Sequence, residues 1–91
     1  MRAPLPLGRV VATPGALKLL MEVGGHPSDF LARHATGDWG ELCAFDRSQN
    51  EIALREGYRV LSSYPIGEEC VWIITEADRS VTTMLLPEES L

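Results

Sequence analysis

The six residues Cys70-Val71-Trp72-Ile73-Ile74-Thr75 constrain this chain most. They are apolar at both alternating positions and rich in β-branched and aromatic side chains. That pattern places them as an interior strand of a sheet. Turn signals flank them: Pro65-Ile66-Gly67-Glu68-Glu69 before and Glu76-Ala77-Asp78-Arg79 after. Beyond the turns lie two further β-rich runs, 58–64 and 80–86, and Pro87 stops the second. The second half therefore reads as a three-stranded antiparallel meander.

The first half is punctuated differently. Thr13-Pro14 reads as an N-cap followed by proline at the first helical position. Ala16, Leu17, Leu20 and Met21 follow with helical spacing, and Gly24-Gly25 ends the run. A second helix opens at Pro27, with Asp29 in its first turn, where the helix dipole favours an anion. Phe30, Leu31 and His34 share a face, and Gly37 stops it. Asp38-Trp39-Gly40-Glu41 has capping-box spacing and predicts a short helical turn through Leu42 and Cys43. Asp46 repeats the signal ahead of a helix that runs to Glu56 and ends at Gly57. The expected class is α+β: three or four short N-terminal helices packed on the C-terminal meander, with 9–12 a candidate added strand.

Such a chain of 91 residues makes one domain, 1–91, with an irregular arm over 1–8 and an exposed acidic tail over 87–91. Folding buries roughly 60–65% of the unfolded surface at this size, enough for one modest core. The net charge is −5, from 13 acidic and 8 basic residues. A nucleic-acid-coating role needs a basic face that displaces counterions, so nucleic acid is not the expected partner. No apolar run is long enough to cross a membrane, and the proline-broken start does not read as a secretory signal. Two cysteines far apart, Cys43 and Cys70, make no disulfide framework. A cytoplasmic protein with buried free thiols is expected.

The densest polar cluster is His34, Asp38, Trp39 and Glu41. A histidine beside carboxylates at a tight turn can supply a general acid and base. The structural alternative is simpler: Asp38 as cap, Trp39 as core plug, and His34 tethering a helix end. His26 and His34 lie eight residues apart with no cysteine pair, so no metal site is expected, and no cofactor motif is present. Arg47, Arg55, Arg59 and Arg79 can grip phosphate or an acidic partner, but solvated surface or pairing with Glu51, Glu56 and Asp78 is the expected reading. Thr75, Ser80, Thr82 and Thr83 read as β-formers on a solvated face.

Three blocks carry a resemblance. They are Leu7-Gly8-Arg9-Val10-Val11-Ala12-Thr13-Pro14-Gly15-Ala16-Leu17, Arg33-His34-Ala35-Thr36-Gly37-Asp38-Trp39-Gly40, and Trp72 through Thr83 with its Thr-Glu-Ala-Asp-Arg-Ser core. Together they resemble a family of small uncharacterised bacterial proteins often labelled plasmid-related protein, or type I restriction endonuclease methylation subunit. The resemblance spans nearly the whole chain and implies a mobile-element context. It implies no methyltransferase activity, because the chain has neither a cofactor-binding domain nor an Asn-Pro-Pro-Tyr-type motif. The ending 87–91 departs from the family's ending. In architecture the chain is also similar to RelE/ParE-type toxins, which are basic where this chain is acidic.

The expected function is that of a non-enzymatic accessory factor of plasmids or other mobile elements. It would bind another protein, with His34, Asp38, Trp39 and Arg79 the candidate binding residues. A homodimer formed through an exposed sheet edge is compatible with this. The alternative is a small RNA-cleaving toxin, with His34 as general acid or base and Arg55 and Arg79 stabilising phosphate charge. It requires His34 and an arginine to meet on one open concave surface.

Overall fold

A computed structural model describes residues 3–90. The first two residues of the expected N-terminal arm and Leu91 of the expected tail lie outside the described residues. The elements run β1 (Arg9–Ala12), α1 (Pro14–Glu22), α2 (Pro27–Ala35), α3 (Ala44–Glu56), β2 (Val60–Ile66), β3 (Glu69–Thr75) and β4 (Val81–Leu85), then a 3₁₀ turn over Pro87–Glu89. The class is α+β, as the sequence indicates. The sheet is mixed, in the order β1-β4-β3-β2, with β1 parallel to β4 and the other pairs antiparallel.

The helix starts and stops follow local chemistry with two exceptions. The Thr13 hydroxyl accepts the Ala16 N–H at 3.1 Å and caps α1, and proline follows it in the first turn. Gly57 ends α3 in the left-handed region at φ 81°, with open space where a Cβ would stand. Gly57→Ala is therefore expected to cost about 1 kcal/mol, read as a lower urea midpoint with unchanged slope. A loss under a few tenths of a kcal/mol would count against a left-handed cap.

The first exception is 38–43, where no helical turn forms. The Gly40 backbone instead bridges Ser63, with the Glu41 N–H donating to the Ser63 carbonyl at 2.8 Å and the Ser63 N–H to the Trp39 carbonyl at 3.0 Å. Gly40 has φ 71°, and any Cβ there would run into the Ser63 carbonyl and the Tyr64 ring. A long-range backbone pairing thus overrides the local capping signal. The second is α3, which starts at Ala44 behind Cys43 rather than at Asp46.

Strand β2 also runs on through Pro65 and Ile66, which the sequence assigns to a turn. Proline fits there because β2 is the last strand of the sheet and needs no outward N–H. The acidic end is not a loose tail either. The Glu89 carboxylate accepts from the Thr13 hydroxyl at 2.5 Å and from the Leu86 N–H at 2.8 Å.

One face of the sheet carries the core. Ala16, Leu19 and Leu20 of α1 meet Tyr64, Ile66, Val71, Ile73 and Met84, with Phe30 and Leu31 of α2 packed against them. A second cluster joins Leu5, Trp39, Ala53 and Val60. All the strand residues in these clusters point to the same side, as strand alternation requires.

Candidate functional site

His34, the leading sequence candidate, is 1% exposed. It holds a line of buried groups drawn from three strands. Its Nδ1 lies 2.5 Å from the Ser62 hydroxyl and its Nε2 2.8 Å from the Thr75 hydroxyl. Thr75 lies 2.8 Å from the Thr82 hydroxyl, which donates to the Leu7 carbonyl at 2.7 Å. Proton counting fixes the line. The Leu7 carbonyl can only accept, so the single Thr82 proton is spent on it. Thr75 must then donate to Thr82, and His34 must donate from Nε2 to Thr75. The proton on Nε2 is thus specified from Leu7 onward, and in the neutral imidazole that burial favours Nδ1 accepts from Ser62.

This arrangement corrects one expectation: Thr75 and Thr82 are not on a solvated face; both are fully buried. His34 does tether the end of α2 by hydrogen bonds, and it does so through hydroxyls of the sheet. Burial lowers its pKa to about 4, since desolvation disfavours imidazolium.

Asp38 does not cap a helix. Its carboxylate takes the Arg33 Nε–H at 2.7 Å and the Gly40 N–H at 3.3 Å. The hydrogen bond from Arg33 holds the Asp38 carboxyl below its ordinary value. The Asp38 carbonyl accepts from the Tyr64 hydroxyl at 2.6 Å, and the Arg33 guanidinium stands 4.5 Å from the Tyr64 ring centre. Burial pushes the Tyr64 hydroxyl up to about 12. Trp39 is a core plug at 4% exposure, and its indole N–H finds no acceptor among the described residues.

Arg79 is not solvated surface. It sits at φ 62° and donates to the carbonyls of Tyr58 at 2.6 Å, Ala53 at 3.0 Å and Glu76 at 3.2 Å. A cation at the carbonyl end of α3 also complements the helix dipole. Arg55 lies beside Glu56 at 3.5 Å, and Arg59 pairs with Glu76 at 3.2 Å. Arg47 holds the Gly40 and Leu42 carbonyls. Arg55 and Arg79 do share an open groove of about 510 Å³ between residues 3–6 and α3, but His34 does not line it. The three candidate catalytic side chains do not converge.

Sequence reasoning missed Asn50. Its side chain donates to the Leu61 carbonyl at 2.7 Å and accepts the Leu61 N–H at 3.1 Å. Together with the Trp39–Glu41 bridge it occupies the outer edge of β2, while β1 occupies that of β4. Both edges of the meander are thus covered, and the free edge of the sheet is the outer side of β1, Arg9–Ala12. The only signal for Asn50 was a polar residue on the inner side of an amphipathic helix.

A further surface is the sheet face opposite the core. The register stacks its side chains in rows: Leu61, Ile74, Thr83 and Val11 in one, Ser63, Trp72 and Leu85 in the next, then Pro65 and Cys70. None of these residues belongs to either helix-covered cluster. Leu85 is buried and Val11 37% exposed; Leu61, Trp72 and Ile74 are half-buried. Every residue in the three rows is uncharged. A solvated sheet face normally alternates to polar residues, whereas here Leu61, Ile74, Val11, Trp72 and Leu85 alternate with only Ser63 and Thr83 as hydroxyls.

Among the described residues no group of three His, Cys, Asp or Glu side chains stands close enough to hold a metal, and no helix is long and apolar enough to cross a membrane. No family model matches the chain, and neither a curated protein nor a solved structure matches it.

Proposed function

We propose that this chain is a non-enzymatic protein-binding module whose binding surface is the open sheet face around Trp72 and Ile74. The observation that carries the reading is the uncharged, apolar composition of a face that no helix cluster covers. The resemblance to plasmid-related proteins supports placing the module as an accessory factor of plasmids or other mobile elements, working in the cytoplasm. His34, Asp38, Trp39 and Arg79 serve this reading indirectly, by fixing the frame that presents the face. The toxin reading needs an accessible His34 near Arg55 and Arg79, and the burial of His34 counts against it.

A photoreactive benzophenone side chain tests the reading when placed at Ile74 on the face and, separately, at exposed Lys18 on α1. Irradiation in cells is expected to give a discrete protein adduct from position 74 and none from position 18. Absence of any adduct from 74, or equal labelling from both, would sink the proposal.

A further inference from the structure

We infer that the occupant of the open face is a second copy of this chain, packed face to face about a two-fold axis running across the strands. The inference rests on reading that face as a protein-binding surface and names its partner.

Charge selects the arrangement. At one end of the face stand exposed Arg9 and Arg59, with Glu76 paired to Arg59. At the other end an open groove of about 490 Å³ is lined by Glu41, Glu68, Glu69 and Glu88; of these Glu69, opposite Ile66 in the register, belongs to the core side. The chain as a whole carries −5, so two copies repel unless opposite ends meet. An axis along the strands would set carboxylates against carboxylates. An axis across the strands sets each carboxylate end over Arg9 and Arg59 of the other copy. It also keeps β3 over β3 and lays the Trp72 row of one copy against the Ile74 row of the other. Aligned sheets pack this way within their natural twist.

The three uncharged rows and the Arg9 and Arg59 end beyond them span at most about 19 Å by about 27 Å. That is about 500 Å² before side-chain relief, against roughly 800 Å² per partner for a standard interface, so a weak, concentration-dependent dimer is expected. Such an interface is isologous, so each residue of the face is used twice.

Analytical ultracentrifugation from about 1 µM to about 200 µM tests it. The wild type is expected to reach twice its 10.0 kDa chain mass at low salt and to dissociate more readily at high salt. Ile74→Glu is expected to stay monomeric while keeping the wild-type circular dichroism. Arg9→Glu should weaken the dimer about tenfold, and adding Glu88→Arg should restore it. A wild type that stays monomeric throughout overturns the inference, as does a dimer that Ile74→Glu leaves intact. The crosslinking at position 74 separates the two proposals. A self-adduct supports both, whereas an adduct to a different protein from a monomeric chain keeps the module reading and removes the second copy.

Discussion

His34→Ala is expected to remove about 3–5 kcal/mol of folding free energy. The substitution empties an imidazole-sized space at a site only 1% exposed. It also strands the Ser62 hydroxyl, whose acceptor is lost, and the Thr75 oxygen, whose donor is lost. Each stranded buried polar group costs about 1–3 kcal/mol. A domain of this size holds roughly 5–13 kcal/mol in all, so the variant should sit close to unfolding. Urea denaturation followed by Trp fluorescence reads the loss. His34→Gln, whose amide can donate to Thr75 and accept from Ser62, should recover part of it. A loss below about 1 kcal/mol for His34→Ala would show that the buried line contributes little.

The same histidine sets an acid limit. Its pKa is about 4 when folded, against an ordinary value of 6.5. The unfolded chain therefore takes up a proton in the window between those values, and the folded chain does not. Stability is full above pH 6.5 and falls as the pH drops toward 4, by about 1.4 kcal/mol per unit at its steepest and roughly 3 kcal/mol in all. Below the folded value His34 contributes no further slope. Asp38 acts in the same direction at more acidic pH, because its carboxyl is held low by Arg33 and loses that pairing on protonation. Thermal or urea unfolding between pH 8 and pH 4 measures the slope. His34→Gln, referred to its own stability at pH 8, should lose most of it; an unchanged slope would assign the effect elsewhere.

Several parts of the architecture are local and therefore legible. Thr13-Pro14 and Gly57 act through their own backbone angles, so the bounds of α1 and the end of α3 follow from a few adjacent residues. The run from Cys70 to Thr75 is apolar on both faces, and it does become an interior strand. Its outward half, Trp72 and Ile74, then lies on the open face from which the proposed interface is argued. The same spacing logic failed at 38–43, where the local capping pattern competed with Ser63, more than twenty residues away, and the backbone pairing won.

The candidate site divides along the same line. That His34 would tether a helix end by hydrogen bonds was readable from its place at the stop of α2. Its partners were not, because Ser62, Thr75 and Thr82 show only β-propensity until register brings Thr75 opposite both Val60 and Thr82. Arg79 looked like a surface cation because nothing in a turn sequence announces that its guanidinium will meet the carbonyls of Ala53 and Tyr58. By itself the sequence determined the α+β class, the Thr13 cap and the Gly57 stop, the interior strand and the net charge of −5. Only the tertiary structure decided which hydroxyls face inward, which charges gather at each end of the sheet, and which face stays open. Those depend on strand register and side-chain proton counts, which are properties of residues brought together from distant parts of the chain.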